Sequence, residues 1–302
     1  MAKQSSPSYA DVWKYANALQ RVSQQARADF LEAVKEVDFD DPEKARQQLQ
    51  ERVQGLVDWY GLAAKELGAQ WFEYCEELAT RANPSQLVGD TGRYSTKSDV
   101  DALIDRAASG EIDEQKLVEL LQGVVVEQTK RRARSEIESR ISEKMQAEGG
   151  RGGVKYGYSR VPVGDSCAYC IMLASRDFDY WTKQSARAAD HPGCDCVIVP
   201  FHEASTVDGY EDKLASYKQQ YSDARRLLKD PPPDLQERID VARHNHEVAY
   251  ANGETTTRWS QMNEVTIAMR YNGAERGFRA ETEAREAAVA EAAEKAVDED
   301  EQ

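Results

Sequence analysis

Apolar residues recur at helical spacing along the first 82 positions. Val12, Leu19, Val22, Ala26, Phe30 and Val34 share one stripe, because steps of three, four and seven return to the same face of a 3.6-residue helix. Asp41-Pro42-Glu43 then supplies an N-cap, a first-turn proline and a carboxylate at the positive end of the helix dipole. The helix that follows carries Leu49, Val53, Leu56, Tyr60 and Leu67, so an antiparallel helical pair is expected. Trp59, Tyr60, Trp71, Phe72 and Tyr74 lie on that second helix. Aromatics at helical spacing are expected to fill an inter-helix core rather than form a ligand box, and Cys75 is expected to be a small core residue beside them.

The pattern breaks between Asn83 and Ser98, where Pro84, Gly89 and Gly92 predict a loop. Helical pattern resumes near Asp99, pauses at Gly110 and runs from Asp113 through Ala147 to Gly149-Gly150. Beyond these glycines the character changes. Val154 to Val163 mixes Tyr, Val and Gly, and Val197-Ile198-Val199 is a β-branched run closed by Pro200, which predicts a compact, partly stranded module over about 149–205. Helices are predicted from about Asp212 to Leu228 and from Pro233 to Ala251, with Pro231-Pro232-Pro233 as a stiff spacer. Trp259 to Phe278 fits strand and helix alike, and the Ala/Glu-rich last 22 residues fit a solvated helix or an unstructured tail.

Charge narrows the partners. The net charge is -15 with a mean hydropathy of -0.73, and Glu281 to Gln302 holds nine acidic and two basic residues, a net of -7. Such an excess argues against a general grip on duplex nucleic acid. Lys130, Arg131, Arg132 and Arg134 form a local basic run flanked by Glu127, Glu136 and Glu138, which predicts a solvated face with i,i+4 pairs. No apolar run reaches the length of a membrane span and no short apolar segment follows a basic start, so neither a membrane nor a Sec-secreted protein is expected.

The most informative chemistry lies between Gly164 and Pro200, where four of the five cysteines fall within thirty residues. The order is Cys167-x2-Cys170, twenty residues, His191-x2-Cys194, one residue, Cys196. Ligand pairs two residues apart suit a tight turn converging on one tetrahedral ion, so a structural zinc is predicted. Five candidates compete for four positions: three thiolates with the imidazole, or four thiolates without it. In a straight strand Cys194 and Cys196 would stand about 6.6 Å apart, too wide for bonds of ~2.3 Å unless a turn folds them inward. The competing expectation is a set of free or oxidised thiols. A disulfide contributes about 2 to 4 kcal/mol, whereas structural zinc contributes about 10 to 16 kcal/mol in apparent binding free energy, more useful to a module with little apolar core.

Catalytic patterns fit poorly. There is no H-E-x-x-H, and the histidine follows the first cysteine pair instead of preceding it as in the zinc deaminases. Gly164-Asp165-Ser166-Cys167-Ala168 lacks the last glycine of a nucleophile elbow, and His244-Asn245-His246 sit adjacent, so their side chains point apart on a helix. No enzyme activity is expected. The alternative is a metal-dependent enzyme, a nuclease or toxin, with Asp165, Asp190 and His202 as polar companions of the metal. A cytoplasmic adaptor built on the same zinc module is a third reading.

Gly164-Asp165-Ser166-Cys167-x2-Cys170, Met172-Leu173-Ala174-Ser175-Arg176, His191-x2-Cys194-x-Cys196 and Val199-Pro200 resemble the signature of MuF-like minor capsid proteins of tailed phages and prophages of actinobacteria. Tyr60-Gly61-Leu62-Ala63-Ala64 and Gln70-Trp71-Phe72 are similar to the helical segment preceding that module, so the resemblance spans about residues 8–205. It implies a head-morphogenesis protein in the virion, inside the capsid or at the portal vertex, passing through the host cytoplasm during assembly. The implied partners are the portal and the major capsid or scaffold proteins, with contact to packaged DNA left open. Cys167, Cys170, His191, Cys194 and Cys196 match the family's Cys/His positions. The fold class expected is mainly α, with long N-terminal antiparallel helices and a small α+β zinc-knuckle-like module. The organisation expected is a helical arm over 1–98, a helical segment over 99–148, the Cys/His module over 149–205, a helical or mixed extension over 206–280 and an acidic tail over 281–302.

Overall fold

The computed structural model describes residues 6–80, 96–148, 156–163, 167–175, 196–202, 207–251 and 260–272. The described chain is mainly helical with one small two-stranded sheet, and it forms two compact units. The first comprises residues 1–159 and 178–209, the second residues 160–177 and 210–302.

In the first unit, α1 (Tyr9–Val34) and α2 (Pro42–Thr80) pair as the spacing predicts. Ser8 caps α1 through a capping box with Asp11, and the Asp41 carboxylate accepts from the Lys44 amide to cap α2. Tyr60 donates to Asp29, Arg52 meets Glu36 and Tyr74 donates to Asp11. Residue numbers rise on one helix as they fall on the other, so the pair is antiparallel. After α3 (Lys97–Ala108) and a turn at Gly110, whose φ is 76°, α4 (Glu114–Glu148) begins on Asp113, which accepts from the Lys116 amide. Here partners rise together: Asp58 with Arg132, Lys65 with Glu136, Glu73 with Arg140, Glu76 with Lys144. Thus α4 runs parallel to α2. The close approach is set at Gly68, where a Cβ would stand 2.6 Å from the Ala133 carbonyl oxygen.

Phe30, Leu49, Val53, Val57, Leu121 and Val125 are among the residues that close the core of these helices. Strands β1 (Tyr156–Val161) and β2 (Val197–His202) form the sheet. The Trp71 indole donates to the Ile198 carbonyl at 2.9 Å and stacks on Tyr15 at 5.1 Å, which seats β2 on the helices. β2 continues through Pro200, a residue without an N–H that a two-stranded sheet tolerates because each strand has an open edge.

The second unit packs α5 (Ala168–Ala174) with α6 (Glu211–Leu227) and α8 (Gln261–Tyr271), and α7 (Pro233–Ala251) with α8. Its buried side chains include Ile171, Met172, Tyr217, Leu235, Ile239 and Met269. Pro233 opens α7 as its first residue, while the Pro232 carbonyl accepts from Leu235 and Gln236. Within the ambiguous stretch Trp259–Phe278, residues 261–271 form helix α8, with Val265, Ala268 and Met269 buried together at helical spacing, while Trp259 and residues 273–278 lie outside the described residues. Arg243 fastens α7 to Glu264 of α8 at 2.7 Å, and Tyr271 donates back to Asp234. The predicted loop over Asn83–Ser98, up to residue 95, and the acidic tail lie outside the described residues. No described helix is long and apolar enough to cross a membrane.

Candidate functional site

Cys167 is the N-cap of α5, with extended backbone (φ -78°, ψ 166°), and Cys170 stands one turn into that helix. The turn closes through the Ile171 amide on the Cys167 carbonyl at 3.0 Å. This local geometry brings the two sulfurs to 3.7 Å, far outside bonding distance, so the pair is not a disulfide. Two thiolates bound at ~2.3 Å on adjacent corners of a tetrahedral zinc stand about 3.8 Å apart. The pair therefore has the spacing of two metal ligands. Cys170 is fully buried, and Cys167 half-buried.

Cys196 is buried immediately before β2, in the first unit, and forms no disulfide, whereas Cys167 and Cys170 belong to the second. His191 and Cys194 lie outside the described residues, as do Asp165 and Asp190, and the side chain of His202 is likewise outside them. Among the described residues no group of three His, Cys, Asp or Glu side chains is arranged to hold a metal. His244 and Asn245 are exposed on α7. Cys75 is buried in α2 as expected; burial, with Glu76 and Asp11 nearby, pushes its thiol well above the usual range and keeps it protonated.

Two expectations about α2 and α4 fail. Lys130, Arg134, Glu136 and Glu138, expected on a solvated face, are buried, and only Arg131 of the basic run is exposed. They sit beside the apolar stripe Ala133, Ile137 and Ile141, where α4 is enclosed on nearly every side. Arg134 pairs with Glu127 at 2.6 Å, and Arg140 lies over the Phe72 ring at 5.6 Å. A signal was present: the charges flank an i,i+4 apolar row, and α2 offers Lys65, Glu73 and Glu76 at complementary positions. The aromatic series also divides. Trp71 and Phe72 are core and Tyr60 packs at its edge, but Trp59 is 73% exposed and Tyr74 is exposed as well.

A model of the VG15 protein family matches residues 6–224, which is well over half of the chain. The chain belongs to the VG15 family. That family is one of phage proteins, and the match takes in every element from α1 through α5 and most of α6. No curated protein and no solved structure matches the chain.

Proposed function

We propose that this VG15 protein is a structural minor component of a phage head, of the MuF-like kind, built into the procapsid near the portal or the inner shell. The observation that carries the reading is the ordered Cys/His signature from Gly164 to Pro200, lying within the matched span of a phage family. Its partners on this reading are the portal and the major capsid or scaffold proteins, and its role is assembly without catalysis.

A structural zinc belongs to the same proposal. Cys167 and Cys170 supply two thiolates at the right separation, and His191, Cys194 and Cys196 are the candidates that the sequence offers for the remaining positions. The reading is tested by inducing the lysogen, separating DNA-free shells from filled particles on a density gradient, and probing for the chain. It is expected in the shell fraction at low copy. Recovery only among soluble host proteins would remove the basis of the head assignment.

A further inference from the structure

The outward face of α2 carries an apolar centre between acidic flanks. Gly55, Trp59, Leu62 and Ala63 are exposed in succession, with Trp59 at 73% and Leu62 at 68%, and Glu51 and Glu66 are exposed at either end. At 1.5 Å per residue the stripe is about 22 Å long. Trp is the side chain that most often anchors interfaces, and a Trp and a Leu side by side in water are unusual on a monomer surface. Gly55 supplies an independent observation. A glycine inside a helix weakens it, yet a Cβ added at Gly55 would meet nothing within 4 Å, so no contact inside the molecule requires it. One turn from the Trp59 ring, its bare backbone leaves room for a partner to lie close.

Charge decides the occupant. The cations of α2 beyond Lys44 are engaged elsewhere: Arg46 with Asp101 and Asp105, Arg52 with Glu36, Lys65 with Glu136. None of them is exposed on the stripe. A second copy would set Glu51 and Glu66 against their own counterparts in either direction of approach, and the chain's last 22 residues carry a net of -7. Phosphate-bearing partners are disfavoured by the same carboxylates. We infer that the Gly55–Glu66 face of α2 docks a helix of another protein that presents an apolar row flanked by Lys or Arg. This surface is argued independently of the phage-head reading.

The test uses the full chain and two amidated synthetic helices of about 20 residues with the same Leu/Ala row, one flanked by Lys and Arg and the other by Glu. Calorimetry at moderate salt is expected to show the cationic peptide binding at least about tenfold more tightly. The double variant Trp59→Ala/Leu62→Ala should lose that binding about tenfold while melting close to wild type, and Glu51→Lys/Glu66→Lys should reverse the charge preference. Equal binding of both peptides, binding of neither, or a double variant that binds like wild type would overturn the inference. So would sedimentation showing self-association that Trp59→Ala/Leu62→Ala abolishes, since the occupant would then be a second copy.

Discussion

Arg140 donates through Nε to Glu136 on its own helix at 2.7 Å and through Nη1 to Glu73 of α2 at 3.2 Å, with the Arg140 and Glu136 side chains almost dry. Removing Arg140 leaves the nearly dry Glu136 with only the longer contact to Lys65 at 3.6 Å. Arg140→Ala is expected to cost about 3 to 5 kcal/mol in urea unfolding, whereas Arg140→Met combined with Glu136→Gln should cost far less. A single variant that unfolds at the wild-type urea concentration would show that water reaches Glu136.

Two glycines of α2 should respond oppositely to alanine. At Gly68 the new methyl meets the Ala133 carbonyl at 2.6 Å and must push α4 away, a loss of about 1 to 3 kcal/mol. At Gly55 it meets nothing, so helix propensity alone acts and the gain is about 0.5 to 1 kcal/mol. Thermal melts of Gly68→Ala and Gly55→Ala moving in the same direction would contradict the close crossing of α2 and α4.

Trp71→Phe keeps much of the stack on Tyr15 but removes the donor to the Ile198 carbonyl. The orphaned buried acceptor should cost about 1 to 3 kcal/mol. Hydrogen exchange should speed up in β2 more than in α3, and uniform acceleration would mean that Trp71 does not seat the strand.

Alkaline stability has a predicted window. Burial, reinforced by the hydrogen bond to Asp29, raises the Tyr60 hydroxyl to about 12; burial with the bond to Asp11 raises Tyr74 likewise to about 12. A group raised in the folded state favours folding below its ordinary value of about 10 and loses that contribution as pH climbs to about 12. The melting temperature should therefore fall between these limits, and Tyr60→Phe/Tyr74→Phe should flatten the fall. An identical slope in the double variant would assign the loss to other groups.

Much of this architecture is legible in the sequence because long helices with one apolar face announce themselves. The stripe from Val12 to Val34, the cap at Asp41, the helix starting near Asp113 and a strand within Val154–Val163 all appear where the pattern puts them. Pattern fails where a helix is enclosed on most sides. On α4 Lys130, Arg134, Glu136, Glu138 and Arg140 are core, and a one-face reading sends such charges to solvent. It also fails at Trp59, since periodicity places a residue on a face without saying whether anything covers that face. For the candidate site, the spacing of Cys167 and Cys170 does foretell their proximity, because three residues span about one helical turn.

Metal content is the direct check on the Cys/His segment. Protein purified under metal-replete conditions is expected to hold roughly one zinc per chain, and Cys167→Ser or Cys170→Ser should release most of it and lower the melting temperature. Less than about half an equivalent in wild type, with thiols fully titratable before chelation, would count against the ion.

The polypeptide passes from the first unit to the second at residue 160, returns at 178 and leaves again at 210. No single cut can therefore liberate either unit intact. A fragment ending at Gly209 would keep α5 while discarding α6 and α8, the helices on which its buried face rests, and would expose Ile171 and Met172 to water. Trimming the C-terminal third thus harms a segment encoded far upstream, so shortened versions of this chain should be sticky and degraded rather than simply smaller.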